Sequence, residues 1–199
     1  MKQNDNPEGA TDLDPNELAG LKHKHITTRA ELDELEQVNI QQGLTWLSRT
    51  RIKDVLTDTF MRRLHKEMFG GVWSWAGTYR QTGKNIGVEP QQIVVQHRTL
   101  MDDARYWAEN SVFEPLEAAA RFHHRMVFIH PYPNGNGRHA RIAADTYLMK
   151  AYDHPPIKWT DGFDLQIDNE RRNKYLGALR AADKGEFELL FAFVGLDRV

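Results

Sequence analysis

The chain has 199 residues, 40% hydrophobic and 27% charged, enough for one sizeable globular core. A formal net charge of −2 excludes the strong basic excess of a non-specific nucleic-acid binder, and the lack of cysteine excludes disulfides, thiolate catalysis and Cys-ligated zinc. The polar opening has no secretion-signal core, and nothing approaches the ~18 consecutive apolar residues of a membrane span, so a cytoplasmic protein is expected.

Residues 1–20 are rich in Asn, Asp, Gly and Pro and read as a flexible N-terminal arm, ahead of a single domain over residues 21–199. Thr28-Arg29-Ala30-Glu31 has the capping-box pattern, so a helix is predicted from Thr28, with Leu32, Leu35, Val38 and Asn39 along one side. A second helix, about 52 to 69, would bury Val55, Leu56, Phe60, Leu64 and Met68 and stop at Gly70-Gly71. From Trp73 to Val95 the pattern changes. Tyr79–Thr82 and Gln92–Val95 read as extended, with Gly83 and Gly87 between them, which predicts a short hairpin or flap. Helices follow at about 97 to 110, about 114 to 129 with Pro115 in its first turn, and from near Asn136 to about Lys150. Two more, near 168 to 183 and 186 to 195, close a mostly α domain with one small β element.

Most of the chemistry is concentrated between His130 and Arg141, in the run His-Pro-Tyr-Pro-Asn-Gly-Asn-Gly-Arg-His-Ala-Arg. Pro131 disfavours helix at His130, and Gly135 and Gly137 permit positive φ and close approach of a ligand to the backbone. A helix starting at Asn136 or Gly137 would aim its N–H groups into the loop, where anions bind. Arg138 and Arg141 are three residues apart on that first turn, and two guanidinium forks suit a polyphosphate. His130 is the loop's only proton acceptor near neutral pH. A base beside a polyphosphate points to a hydroxyl being deprotonated as it attacks phosphorus.

This run resembles the Fic family signature, His-Pro-Phe-x-Asp/Glu-Gly-Asn-Gly-Arg-x-x-Arg. His130, Pro131, Gly135, Asn136, Gly137, Arg138 and Arg141 are identical, and Tyr132 is a conservative replacement. Trp75-Ala76-Gly77-Thr78-Tyr79-Arg80 also resembles the family's approach to its flap, and the likeness extends over residues 25–195. Within the family the chain is similar to the bacterial group nicknamed mobile mystery protein B. The resemblance implies a mainly α, Fic-type helical domain with a small β-hairpin flap. It further implies a protein adenylyltransferase moving AMP from ATP to a Ser, Thr or Tyr hydroxyl of a target protein. His130 would then be the base, and Asn136 with the backbone from Gly135 to Gly137 would hold the α-phosphate. Arg138 and Arg141 would hold the β- and γ-phosphates, and Tyr132 would anchor the loop. A target-docking flap would use Thr82, Lys84, Ile86, Gly87 and Ile93 to clamp the target as an added strand. The family's usual acid is replaced by Asn134, whose amide oxygen would hold Mg²⁺ or Mn²⁺ more weakly than a carboxylate. Gly137, where the Doc branch has Lys, favours nucleotidyl transfer. Autoinhibition in the family pairs a helix Glu with the second motif arginine, which is Arg141 here. Glu31, in a partial match, and Glu36 are the candidates here, with the capping box as the competing reading of Glu31. A small helix-turn-helix antitoxin is an implied partner.

His123, His124, His130 and His139 do not form the His-Asp doublet or His-Glu-x-x-His pattern of metal-dependent hydrolases. Trp73 and Trp75 read as core and flap anchors. Two rivals remain: a non-catalytic nucleotide-sensing or protein-interaction module, and a transferase using another nucleotide donor.

Overall fold

Short capping side chains and prolines set where the helices of this chain begin. The computed structural model describes residues 13–160, 165, 167 and 169–196. Among these lie eight helices: α1 (Pro15–Ala19), α2 (Arg29–Arg49), α3 (Asp58–Phe69), α4 (Pro90–Glu109), α5 (Pro115–Ile129), α6 (Asn136–Tyr152), α7 (Glu170–Ala182) and α8 (Glu188–Phe193). Asp14 with Glu17 and Thr28 with Glu31 close capping boxes on α1 and α2. Thr57 and Asn169 cap α3 and α7 with their side chains. Pro90 and Pro115 open α4 and α5, where a first turn does not need their missing N–H.

The centre of the fold is α5. Its residues Ala118, Ala119, Ala120, Phe122, Met126 and Ile129 are buried, and it packs against α4, α6 and α8. The alanines let α6 approach closely through Ala140, Ala143 and Ala144, while Phe122 and Tyr147 fill the space between. Fully burying a side chain such as Phe122 contributes about 1.5–3 kcal/mol. Helix α2 lies against α3, and α7 lies against α8.

Several boundaries differ from the sequence reading. Thr57 takes the cap of α3, so Val55 and Leu56 are buried from the preceding loop rather than from a helix beginning near 52. Val38 is 58% exposed, and the buried face of α2 is Leu32, Glu36, Asn39, Ile40 and Gly43. The expected hairpin is absent: among the described residues the β pairing is an isolated bridge between Leu21 and Trp73. Gln92–Val95 is the first part of α4, because Pro90 starts the helix and Ile93, His97, Leu100, Met101 and Ala104 recur at helical spacing. Ile93 is therefore core rather than flap.

Residues 13–20 are not a loose arm. Leu13 is buried, Trp75 Nε1 donates to Glu17 O at 2.9 Å, and Ser74 N donates to Gly20 O at 2.9 Å. Residues 1–12, also assigned to the arm, lie outside the described residues. No described helix is long and apolar enough to cross a membrane.

Candidate active site

The loop between α5 and α6 is built from the inside out. Helix α5 closes with His130 N donating to Met126 O at 3.2 Å, and His130 itself is left-handed, with φ 52° and ψ 60°. Pro131 follows and forbids continuation of the helix. Tyr132 then turns inward, fully buried, and stacks on His65 of α3 with ring centroids 3.7 Å apart. His65 Nδ1 accepts from Gly77 N at 3.0 Å, which leaves the Nε2 proton to bond Asn134 O at 3.1 Å.

Asn136 serves the same turn. Its Oδ1 accepts from Tyr132 N at 2.9 Å and its Nδ2 donates to Tyr132 O at 2.7 Å. At Gly135, φ is +78°, and a Cβ there would lie 2.6 Å from the Phe69 ring. These contacts fix the main chain so that the first-turn N–H groups of α6, which have no intrahelical acceptor, open onto a cavity of about 380 Å³.

That cavity is lined by His130, Asn134, Gly135, Asn136, Gly137, Arg138 and Arg141, so the loop residues singled out from the sequence converge on one site. Ile86 and Gly87 join them from the segment before α4. Thr82 and Lys84 face α1 instead. Thr82 Oγ1 donates to Asp14 Oδ2 at 3.0 Å, and Lys84 pairs with Glu17. The far wall is one face of α7, presenting Arg172, Tyr175, Leu176, Leu179, Arg180 and Asp183. Sequence reasoning took this helix only as core, because its three-to-four spacing signals a buried stripe equally well. Arg29 also lines the cavity, so five arginines there face one carboxylate, that of Asp183. The potential favours a polyanion.

Burial, more than any charge, pushes the His130 imidazole down to about 3, with Arg80 and Lys84 adding to the effect and a backbone contact at Val127 opposing it. His130 is therefore neutral, in the proton-accepting form, at physiological pH. Arg141 sits over the Tyr175 ring, 5.6 Å from its centroid. Tyr175 OH is in turn 2.9 Å from His123 Nε2.

Arg138 is held from behind. Its Nη2 is 2.7 Å from Glu36 Oε2, and its guanidinium lies 4.9 Å from the Phe69 ring centroid. Glu36 is 1% exposed; its Oε1 accepts from Trp73 Nε1 at 2.6 Å and from Asn134 Nδ2 at 3.4 Å. Glu31 lies apart from this group. Its carboxylate accepts from Thr27 N and Thr28 N at 3.1 and 3.0 Å, which closes the capping box and holds its pKa below the usual range.

The histidines have separate partners: His124 bonds Asp183 Oδ1 at 2.9 Å and His139 bonds Met61 O at 3.0 Å. Among the described residues no group of three or more His, Cys, Asp or Glu could hold a metal ion. Asn134 Oδ1 already accepts from Gly135 N at 2.7 Å, and Glu36 is paired with Arg138. The protein side of this site is not a divalent-cation site by itself.

The Fic/DOC family profile matches residues 55–148. "Protein adenylyltransferase Fic" of Aedes aegypti is 25% identical over 165 residues, covering 80% of this chain and 31% of its own length. The Drosophila yakuba protein of the same name is 29% identical over 147 residues, covering 72% and 27%. The chain thus spans about a third of the length of the curated relatives it matches. Among solved structures, the BepC protein of Bartonella tribocorum, a VirB-translocated effector with bound AMPPNP, superposes with a TM-score of 0.70 at 16% identity, covering 98% of this chain and 95% of that one. Fic-1 from C. elegans gives 0.67 at 22% identity, covering 86% and 51%. The helical architecture is that of these solved proteins, and the match to the Fic/DOC family profile falls on the stretch from α3 to α6 that carries the site.

Proposed function

We propose that the chain is a protein adenylyltransferase that moves AMP from ATP to a Ser, Thr or Tyr hydroxyl of a target protein. The observation that carries this reading is a neutral, buried imidazole on the wall of a cavity that also holds a helix N-terminus and two motif arginines. The names of the adenylyltransferase relatives and the AMPPNP bound to BepC support the choice of donor.

In the proposed reaction the target hydroxyl gives its proton to the imidazole of His130, and its oxygen attacks the α-phosphorus of ATP. A new oxygen–phosphorus bond forms, the bond from the α-phosphorus to the bridging oxygen breaks, and pyrophosphate leaves. Backbone N–H groups from Gly135 to Gly137 receive the charge that develops on the α-phosphate. Asn136 supports them by fixing the turn through Tyr132. Arg141 and Arg138 take the outer phosphates. An imidazole near 3 is a weak base, and the negative charge of a bound donor raises it toward the working pH. Ile86 and Gly87 border the target side. No step runs through a protein-held cation; Mg²⁺ or Mn²⁺ would be carried chiefly by the phosphates, with Asn134 as a weak additional ligand.

Glu36 is the candidate restraint, because its carboxylate engages Arg138, an arginine assigned to the outer phosphates, although the resemblance implied a pair with the second motif arginine, Arg141. Glu31 fits capping instead. Membership of the mobile mystery protein B group, and pairing with a helix-turn-helix antitoxin, remain proposals that rest on the sequence resemblance.

The test is α-labelled ATP with Mg²⁺ or Mn²⁺ and a cell lysate. Label should appear on protein and vanish with His130→Ala. Nucleotide binding without any label would favour the sensing module, a reading to which the Glu36–Arg138 pair lends some weight. Labelling from GTP, UTP or CTP but not ATP would change the donor.

A further inference from the structure

Arg80 is 2% exposed, yet its guanidinium is committed to main-chain carbonyls. Nε donates to His130 O at 2.7 Å, Nη1 to Thr82 O at 2.8 Å, and Nη2 to Val88 O. Its backbone joins the same knot, with Arg80 N donating to Pro131 O at 2.9 Å, and Val88 N donating to Ile129 O at 3.4 Å. One side chain therefore ties both ends of the 82–88 segment to the residue that ends α5. The fit leaves no slack. At Gly87, where φ is +100°, a Cβ would lie 2.5 Å from His130 Cβ and 2.8 Å from Arg80 Nη2.

A buried guanidinium is expensive to desolvate, and the carbonyls here repay it only if the geometry is held. His130 is itself in a left-handed conformation that non-glycine residues rarely adopt, so something must over-determine it. Arg80 bonds the carbonyl of that very residue.

We propose that Arg80 is a positioning residue: it clasps the 82–88 segment to the main chain of His130, so that the imidazole is oriented and kept dry only while that segment is seated. The assignment rests on His130 as the base of the proposed reaction. It adds that the segment bordering the target side and the base form one unit, so a target strand settling there would bear directly on the imidazole. The positive groups acting on His130 from this segment are Arg80 and Lys84; Lys84 is paired with Glu17, and Arg138 and Arg141 line the same cavity from α6. Glu89 and Glu17 act on Arg80. Loss of the Arg80 charge and the unseating of the segment push the imidazole the same way, toward its ordinary protonation range.

The test uses the full chain. Wild type, Arg80→Gln and Arg80→Lys are compared near pH ~7.5, inside the folded range, with circular dichroism reporting the fold. Mass spectrometry reads deuterium exchange at the His130 Cε1–H, which quickens as an imidazole meets water and its pKa rises, and ATP-dependent transfer is split into kcat and KM. In folded Arg80→Gln that exchange should quicken at least ~10-fold and kcat should fall roughly 100-fold, with KM for ATP within about threefold. Arg80→Lys keeps the charge but not the three-way geometry, so kcat should fall about tenfold with a smaller change in exchange. Unmoved His130 exchange in folded Arg80→Gln overturns the proposal, even if activity drops; so does wild-type kcat in Arg80→Lys. Should neither variant fold, wild-type amide exchange decides. The amides of Arg80 and Val88 should show protection factors within about tenfold of each other, and independent opening refutes the clasp. If wild type transfers nothing, the adenylyltransferase reading fails, while imidazole and amide exchange still judge the clasp.

Discussion

Tyr132 is fully buried, and its phenolic oxygen has no hydrogen-bond partner among the described residues. Burial drives its pKa well above the ordinary phenol value, so the group stays a neutral, unsatisfied hydroxyl. Tyr132→Phe keeps the ring that stacks on His65 and removes the orphaned oxygen, which should raise stability by about 1 kcal/mol. Denaturant melts of both forms measure this, and a loss of stability would reveal a partner the oxygen needs. Asn134 offers a second residue-scale test. Asn134→Asp places a carboxylate beside the proposed phosphates, so Mg²⁺ should strengthen nucleotide binding roughly tenfold in the variant and only slightly in wild type. Titration calorimetry with and without Mg²⁺ checks it; equal dependence in both would remove position 134 from any role in cation binding. The loop was legible because its logic is local: proline, glycine, histidine and arginine act within twelve consecutive residues. His65, Arg80 and Glu36 support it from 69, 50 and 98 positions away, and no spacing rule reaches that far.

Between elements, α2 is the part whose meaning changed most. Its capping box was readable, but its buried face carries Glu36 and Asn39 rather than Val38. Spacing alone gives a carboxylate on this face no partner, because Arg138 lies on α6; it was the family resemblance that set Glu36 among the candidates to meet a motif arginine. Glu36→Gln should keep the bond from Trp73 and lose the ion pair, leaving a buried guanidinium without its counter-charge at a cost of about 3 kcal/mol in stability. If α2 restrains the site, nucleotide affinity should rise severalfold in the same variant. Lower stability with unchanged affinity would make the pair purely structural. Glu31→Gly should loosen the start of α2 and leave affinity alone. The segment before α4 was misread for a related reason. The β-branched run Ile93-Val94-Val95 has strand propensity, but Pro90 and the core contacts of Ile93, His97 and Leu100 decide for helix. Propensity lost to packing there, and the segment holding Gly83 and Gly87 runs as an irregular, bent loop instead of a hairpin.

At the scale of the whole molecule, the fold holds several imidazoles away from water, and that sets its response to acid. Burial pushes His123, His130 and His139 each down to about 3, and lowers His65 in the same direction. Unfolded, each returns to about 6.5 and takes up a proton more readily than the native state. Their contribution to stability is therefore complete above pH 6.5 and lost progressively as pH falls toward 3. At pH 5 the three histidines with assigned values together cost about 6 kcal/mol, comparable with the whole stability of a domain. Asp145 works against this. Burial raises it to about 6, so its neutral form returns about 1 kcal/mol between pH 7 and 5. The balance of these four groups predicts cooperative loss of structure between about pH 5.5 and 4.5, with a net uptake of roughly two protons per molecule. Circular dichroism against pH, with the slope of the denaturant midpoint, measures both quantities. His123→Gln removes one of these sites while retaining a group that can bond Tyr175, so its transition should be shallower by nearly one proton. A wild-type fold that persists unchanged to pH 4 would mean that these imidazoles reach water without global unfolding, and the dry site assigned to His130 would fall with that result.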